Sequence, residues 1–455
     1  MRAGKPSIRV DLVGILKLLT EHITQALCQT AFETVRTTER QRQWSLYALV
    51  QFWMAVILRA PPSLSQALLD NQEGRQLLAP RIKASPEAFF QRCRDLSWKF
   101  FAEVFRKFIG SLLKVTPRRF CCKLSGLQER FTDVVLIDGS RLEAVAHRLK
   151  ILWNDRSVVL PGCLLVIYDL FRGIPRAVEF CADAAASEFV RAKDALSKLA
   201  KDTLLVGDRL YCTGSLFEEL NQRGLWGLFR RNRQLGLRGH RRDPLRKKRW
   251  RGGLLREWRV QAGGGRTAPV QELRLIQFKQ GRKVYEVLTN VLDGGRLTAE
   301  EAMELYPCRW TIERMYFDLK EVLNLNRLYP ANPNAVGMQV YASALVYTAM
   351  RVAQGEVADQ GEIEPEEISP AKFFPKMAAS CNDYVVGEHM IAEMIRLNPG
   401  RPLKRPSWKG RRCSSVSLVA ILVEKRNDFR RTQRFCKARR RWKSFTRVRG
   451  GRKLT

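Results

Sequence analysis

The sequence contains few of the residues on which zinc or histidine chemistry depends. Its 455 residues include only four histidines, which lie far apart, and eleven cysteines, none of which forms a Cys-x-x-Cys pair. Because zinc sites are built from closely spaced Cys and His ligands, such a site is not expected. The scattered and odd-numbered cysteines indicate reduced thiols rather than a disulfide framework.

Long hydrophobic runs are also missing. The apolar stretches "ALVQFWMAVIL" and "SLVAILV" are too short to cross a bilayer. The start, "MRAGKPSIRVDLVGILKLL", is basic but has no small-residue cleavage site of the secretory type. We therefore expect a cytoplasmic protein without a membrane partner.

Acidic residues are scarce relative to basic ones, 45 against 80, which gives a formal net charge of +35. Such an excess favours binding to polyanions, because neutralised phosphates release their counterions. The alternative is a solvated basic surface that has no partner. The hydrophobic fraction of 45% is sufficient for a core, and the length predicts two or three domains.

The first half of the chain changes from a helical to a mixed pattern. Residues 1–125 carry apolar residues at intervals of three and four, which predicts a mainly helical region. After it, "DVVLID" (133–138) and "DTLLVGD" (202–208) are predicted buried strands that each end in Asp. Between them we predict the hairpin "CLLVIYDLF" and "PRAVEFC" and a helix capped by Ser187. This order indicates a mixed α/β sheet.

Residues 226–295 interrupt that order. They combine the basic run "RRNRQLGLRGHRRDPLRKKRWRGG" with the alternating stretches "QELRLIQF" and "KVYEVLTNVL", which predicts a β-rich insertion. Helices resume where Thr298 and Glu301 have the spacing of a capping box. A buried helix, an acidic linker at 351–370 and a basic region at 371–455 complete the predicted organisation.

The stretch "LYPCRWTIERMYFDLKEVL" (305–323) places four polar side chains on one flank of a helix. Tyr306, Arg309, Glu313 and Lys320 fall within an arc of roughly 60°, separate from the apolar stripe of the same helix. Pro307 predicts a break or kink beside Tyr306. An Arg–Glu pair four residues apart can also simply decorate a solvated helix.

Three carboxylates suggest a metal site when they are considered together. Asp138 and Asp208 end strands and Glu313 lies on the helix, although either Asp alone is typical of a turn. Carboxylate oxygens suit Mg²⁺, and a pair of such ions supports in-line displacement at phosphorus.

These segments resemble the DDE transposases of bacterial insertion sequences, in the subgroup with a Tyr-x2-Arg-x3-Glu-x6-Lys signature. "YPCRWTIERMYFDLK" matches all four positions, "VVLIDGSRL" and "LLVGDRLY" are similar to the two Asp segments, and "YEVLTN" is similar to the strand that closes the insertion. The resemblance covers about 125–350. One departure is Leu210, which stands where relatives often have Gly and puts the local turn in doubt.

The resemblance implies an RNase H-like catalytic domain, formed by 126–225 and 296–350 and interrupted by the insertion at 226–295. It implies that Asp138, Asp208 and Glu313 are catalytic and hold two Mg²⁺ ions, for which Mn²⁺ can substitute. It also implies that Tyr306, Arg309 and Lys320 grip phosphates.

The resemblance further implies contacts between aromatic residues and a flipped base near the DNA end. Tyr285 would be the stacking platform and Trp310 the wedge, and the alternative is that both are core aromatics. Arg209 and Tyr211, beside the second Asp, are further candidate DNA contacts. Trp250, within the basic run, is another candidate or else an anchor for its loop.

The expected function is that of a DNA transposase that cuts at the ends of an element and transfers the strand to target DNA. The expected partners are double-stranded DNA, as terminal repeats and as target, and a second copy of the chain in a homodimer. Regions 1–125 and 371–455 would bind DNA or the second subunit. The alternatives are a nuclease of the same fold that does not transpose, and a catalytically inactive DNA-binding protein.

Overall fold

A computed structural model describes residues 13–36, 42–76, 78–142, 162–183, 186–239, 244–263, 270–330, 332–379 and 381. Residues 382–455, and with them most of the predicted basic region, lie outside the described residues, as do residues 1–12. Within the described part, none of the helices combines the length and the apolar character needed to cross a membrane.

The described chain contains twelve α-helices and ten strands. The helices are α1 Val13–His22, α2 Gln25–Glu33, α3 Leu46–Arg59, α4 Leu64–Gln72, α5 Pro86–Asp95, α6 Lys99–Val115, α7 Leu127–Arg130, α8 Glu188–Leu196, α9 Gly214–Arg223, α10 Ala299–Leu305, α11 Trp310–Phe317 and α12 Pro333–Gln360. The strands are β1 Val134–Arg141, β2 Cys163–Asp169, β3 Ile174–Cys181, β4 Leu204–Gly207, β5 Trp226–Arg230, β6 Leu237–Arg238, β7 Arg246–Trp250, β8 Gly253–Ala262, β9 Gln271–Gln280 and β10 Lys283–Thr289.

The strands form one sheet, which confirms the predicted mixed α/β fold. The strand order is β3-β2-β1-β4-β5-β10-β9-β8-β6, with β7 paired to β8. β1 runs antiparallel to β2 and parallel to β4, and β4 runs parallel to β5. Because β1 and β4 are parallel neighbours, the residues that follow them meet at the same edge of the sheet.

Helices cover both faces of the central strands. On β1, Val134 and Leu136 pack into the core that contains α11 and α12, whereas Val135 and Ile137 pack into the core that contains α8 and α9. This alternation follows from the two-residue period of a strand. Asp138 continues the first face and Gly139 the second, which determines what each can contact.

The structure contains both helix N-caps that the sequence predicts. The Ser187 side chain accepts a hydrogen bond from the Val190 N–H and caps α8. Thr298 and Glu301 form the predicted capping box at the start of α10. Each cap satisfies backbone donors that a helix start leaves without intrahelical partners.

Three predicted boundaries are wrong. The strand expected to end at Asp138 continues to Arg141, because Gly139, Ser140 and Arg141 pair with β2. β5 lies inside the segment expected to be an insertion, yet it pairs in parallel with β4, because Leu228 and Phe229 are buried in the two cores of the central sheet. The acidic linker expected from 351 begins instead inside α12, which continues to Gln360 with Val357 and Ala358 buried.

α12 is buried along almost its whole length, as its apolar sequence predicts. It packs tightly against the N-terminal region at Gly337, where an added Cβ would lie 2.5 Å from the Trp98 Cβ. Trp98 in turn stacks on Tyr341, with ring centroids 5.9 Å apart. The glycine therefore sets the distance between α12 and the start of α6.

Gly337→Ala is expected to lower the free energy of unfolding by about 1–3 kcal/mol, since overpacking of a close helix contact forces the backbone to shift. Chemical denaturation measures the change. Gly110→Ala is the matched control, because no atom lies within 4 Å of its added Cβ on the exposed side of α6. That variant should gain about 0.5–1 kcal/mol through helix propensity. Stabilisation by both substitutions would contradict the close packing.

Candidate active site

Asp138 lies on β1 just beyond its paired register with β4, where the strand leaves the buried core. Its carbonyl oxygen accepts a hydrogen bond of 2.7 Å from the Tyr316 hydroxyl of α11, which ties the motif helix to the strand. Burial raises the pKa of the Asp138 carboxyl to about 7, and the nearby charges of Glu188 and Glu313 add to the shift while Arg309 opposes it. The positive charge of Arg309 is therefore too little to offset the burial of the Asp138 carboxylate and its repulsion by Glu188 and Glu313.

Asp208 follows β4 directly and begins a short 3-10 turn over Arg209–Tyr211. Its Oδ1 accepts a hydrogen bond of 2.7 Å from the Arg209 N–H. The turn forms with Leu210 at the position where relatives often have Gly, and φ is not positive at that residue. The turn that carries Asp208 therefore does not need glycine.

The motif helix is composed of three kinds of turn. Tyr306–Arg309 is a 3-10 turn with Pro307 in its first positions, Trp310–Phe317 is α-helical, and Asp318–Val322 is a π-turn. The irregularity predicted at Pro307 is thus observed as a tighter turn. Since π-turns alter the angular spacing of the residues that follow them, Lys320 leaves the helix in a direction that an ideal helix does not predict.

Arg309 lies between the carboxylates. Its guanidinium bonds the Glu313 Oε1 at 2.7 Å, and its Nη1 lies 4.0 Å from the Asp138 Oδ2. Its side chain is 9% exposed, and its buried Nε has no hydrogen-bond partner. Burial lowers the pKa of Arg309, but the hydrogen bond and charge of Glu313 raise it. The charges of Tyr306 and Asp208 add a smaller increase, so the pKa is raised overall. Two of the predicted acids therefore lie against this cation, and the charge of Asp208 raises its pKa further.

Arg309 is paired with Glu313 and lies close to Asp138. Within the described ranges, no group of three or more His, Cys, Asp or Glu side chains is arranged to hold a metal ion. The donors nevertheless suit a hard divalent cation, since they are carboxylate oxygens. Additional positive charge at this point would relieve the repulsion among the acids.

The other polar residues of the motif have different surroundings. Lys320 donates hydrogen bonds of 2.9 Å from Nζ to the Ser140 hydroxyl and to the Arg141 carbonyl, and so fastens the end of β1. Burial raises the pKa of the half-buried Tyr306, Arg309 opposes the shift, and the charge of Asp208 adds to it. Tyr306 is therefore close to both the arginine and the second strand-end acid.

The predicted base-contacting aromatics are exposed. Trp310 is 57% exposed and Tyr285 49%, so neither is a core residue. The Arg309 guanidinium lies 5.0 Å from the Trp310 ring centroid. Tyr285 stacks on Phe278, and Phe278 packs edge-on against Trp250 with ring centroids 5.0 Å apart. Trp250 therefore anchors its hairpin, which was one of its two predicted roles.

The two residues of the second Asp segment have opposite environments. Arg209 is exposed and lines an open groove of about 590 Å³ beside Asp208, together with Arg230, Arg231 and Arg233. Tyr211 is fully buried, and its hydroxyl donates a 2.6 Å hydrogen bond to Glu188. The prediction that Tyr211 contacts DNA is wrong, because packing against the α8 and α9 core leaves none of its ring exposed.

Sequence reasoning missed two groups that the structure brings to the site. Glu188 lies at the first position of α8, and no spacing pattern connects it to Asp138. Arg230, Arg231 and Arg233 lie at the end of β5 or just after it. The sequence shows that this run is basic, but not that it lies beside Asp208. The adjacent Gly139 was the one available signal for Glu188, because it leaves the space that the glutamate carboxyl fills.

Comparison with known proteins finds a match to the part of the chain that contains these residues. Residues 129–349 match the model of the transposase DDE domain. A putative transposase for insertion sequence element IS4SA from Synechocystis sp. (strain ATCC 27184 / PCC 6803 / Kazusa) is 31% identical over 87 residues, which are 18% of this chain and 25% of that protein. The chain thus aligns with about a quarter of that relative's length.

Among solved structures, a piggyBac transposase synaptic complex with hairpin DNA aligns over 90% of this chain and 88% of that one, with a TM-score of 0.43 and 11% identity. The matched segment 129–349 contains Asp138, Asp208 and Glu313 together with the whole four-residue signature. Over residues 129–349, the chain is therefore similar to the transposase DDE domain.

Proposed function

We propose that this chain is a DNA transposase that uses divalent metal ions to cut at the ends of an insertion sequence and to transfer the strand to target DNA. The observation that supports it most strongly is the position of Arg309, a buried cation that is paired with Glu313 and lies 4.0 Å from Asp138. Asp138 lies on β1 beyond its pairing with the parallel strand β4, Asp208 follows β4 directly, and Glu313 lies on the helix that is tied to β1.

Asp138, Asp208 and Glu313 would hold two Mg²⁺ ions, for which Mn²⁺ can substitute. When bound, such ions activate the attacking oxygen and stabilise the leaving oxygen of an in-line displacement. Binding requires Glu313 to turn from Arg309 toward the strand ends. The cost is moderate, because the Glu313 side chain is 38% exposed and can change rotamer without disturbing the core.

The released arginine would then be available for DNA. Arg309 presents a planar fork of donors that matches phosphate oxygens, which a lysine does not. Tyr306 and Lys320 would contact phosphates on either side of it, Lys320 after giving up its bonds to Ser140 and Arg141. Arg209 and the arginines of its groove would guide the backbone past Asp208.

Tyr285 and Trp310 would contact a displaced base near the DNA end. Both rings are exposed, and Tyr285 is held by Phe278 in a fixed orientation that suits stacking. The same exposure is compatible with any nucleobase, since every base has a face for stacking. We therefore assign these two residues to positioning of the strand rather than to recognition of its sequence.

The proposed organisation is an RNase H-like catalytic domain that carries the β-rich insertion between β5 and β10. Its helical N-terminal region would bind element ends, and its basic C-terminal region would contact DNA or a second subunit in a homodimer. Two ends must be brought together in transposition, which favours a dimer on the DNA. Action on bacterial DNA places the protein in the cytoplasm.

Strand transfer is the activity that separates this proposal from its alternatives. Purified protein, Mg²⁺, a labelled duplex with a precut terminal 3′-OH and a supercoiled target plasmid should yield joined product. Omission of the metal should remove the product. Cleavage without joining would indicate a nuclease of the same fold, and DNA binding without either reaction would indicate an inactive DNA-binding protein. Either outcome overturns the proposal.

A further inference from the structure

Glu188 is the acid of this region that the three-carboxylate arrangement leaves unexplained. It begins α8, on the face of the sheet opposite to the motif helix, yet its carboxyl reaches the end of β1. A Cβ added to Gly139 would overlap with the carboxyl carbon and Oε2 of Glu188. The absence of a side chain at Gly139 is thus what allows this acid to lie against the backbone next to Asp138.

Tyr211 fixes the orientation of that carboxyl. Its hydroxyl donates a 2.6 Å hydrogen bond to the Glu188 Oε1, while Oε2 is the oxygen that lies against Gly139. Tyr211 follows Asp208 by three residues and is fully buried, so its own position is fixed by packing. This hydrogen bond therefore links the start of α8 to the segment that carries Asp208.

Glu188 has no neutralising partner among the described residues. No Lys, Arg or His nitrogen in that part of the chain forms an ion pair with it, whereas Glu313 has Arg309. Its carboxyl lies against Gly139, next to Asp138, and its charge raises the pKa of Asp138. An uncompensated carboxylate beside another one is costly unless a cation joins them.

We propose that Glu188 is a fourth carboxylate of the divalent-metal centre, placed beside Asp138 by the bare backbone of Gly139 and oriented by the Tyr211 hydroxyl. The inference rests on the proposed function, because it assigns a further residue to the same centre. In the competing explanation Glu188 has only a structural role, in which it holds Tyr211 and the start of α8. The two explanations differ in whether the charge of Glu188 is needed.

Glu188→Gln separates these explanations, since Gln keeps the size and an oxygen that can accept the Tyr211 hydrogen bond but removes the charge. Mn²⁺ binding to the full chain without DNA is measured from the electron paramagnetic resonance signal of free Mn²⁺. We expect the affinity to fall about tenfold or more, with Asp138→Asn as the reference for a lost ligand. Asp194→Asn, an exposed acid on the same helix, is the matched control and should bind as wild type does.

The outcomes distinguish this inference from the proposed function. Loss of affinity in both Glu188→Gln and Asp138→Asn, with an unchanged melting temperature in Glu188→Gln, supports the fourth carboxylate. Loss in Asp138→Asn alone overturns the role of Glu188 and leaves the three-acid centre in place. Equal binding by wild type and both variants, or no binding by the wild type, overturns the centre itself and the inference with it.

Discussion

Glu313→Gln is expected to reduce Mg²⁺-dependent cleavage of end DNA by about 10³-fold while DNA affinity changes by less than about threefold. The amide keeps the length of the side chain and can still accept a hydrogen bond from Arg309, but it lacks the charge that holds a divalent cation. Single-turnover cleavage of a labelled duplex measures the rate, and fluorescence anisotropy measures the affinity.

Glu321→Gln provides the comparison for Glu313→Gln. It makes the same chemical change in the same helical segment, at an exposed position whose one hydrogen bond of 3.4 Å comes from the Asn326 amide. It should cleave at nearly the wild-type rate. Asp208→Asn should match Glu313→Gln in severity. Wild-type cleavage by Glu313→Gln would remove this residue from the centre.

Arg309→Ala is expected to be the most damaging change outside the acids. It removes the buried cation that holds Glu313 at 2.7 Å and lies 4.0 Å from Asp138. Because Glu313 is partly exposed, the loss in free energy of unfolding should be about 1–3 kcal/mol rather than the larger cost of breaking a fully buried pair. Cleavage should fall by about 100-fold, since the proposed phosphate contact is lost as well.

Divalent ions should reveal the electrostatic origin of that loss. If Arg309 supplies the charge that the acids need, added Mn²⁺ should raise the melting temperature of Arg309→Ala by more than it raises that of wild type. Arg314→Ala, at an exposed position on the same helix, is the control and should behave as wild type does in both measurements. Equal stability of Arg309→Ala and wild type in the absence of metal would contradict the role assigned to this cation.

Much of the fold could be predicted from the sequence, because the residues that determine these elements are neighbours in the chain. The apolar runs before Asp138 and Asp208 form strands, and the caps at Ser187 and Thr298 follow from the chemistry of single side chains. Pro307 likewise disturbs the helix wherever the rest of the chain lies. Such features depend on neighbours in sequence, and the structure reproduces them.

Other features depend on strand pairing and could not be predicted from local pattern. β5 opens a basic segment, but its pairing with β4 places it in the central sheet. Tyr211 follows a candidate acid as a DNA contact would, yet the packing of α8 and α9 buries it. Its burial is what makes it a support for Glu188 instead.

The arrangement around Arg309 shows the limit of a helical-wheel argument. An ideal helix places Arg309 and Glu313 on one flank and correctly predicts their contact. It does not predict that Asp138 approaches the same guanidinium, because that depends on the bond between the Tyr316 hydroxyl and the β1 backbone. Nor does it predict the π-turn that redirects Lys320 toward Ser140.

Anomalous diffraction from crystals of the protein with Mn²⁺ and an end duplex tests the central claim most directly, because it locates the ions themselves. We predict anomalous peaks within about 2.5 Å of carboxylate oxygens from Asp138, Asp208 and Glu313, with Glu313 turned away from Arg309. Peaks elsewhere, or ions that leave any of these three acids uncoordinated while DNA is bound, would contradict the account.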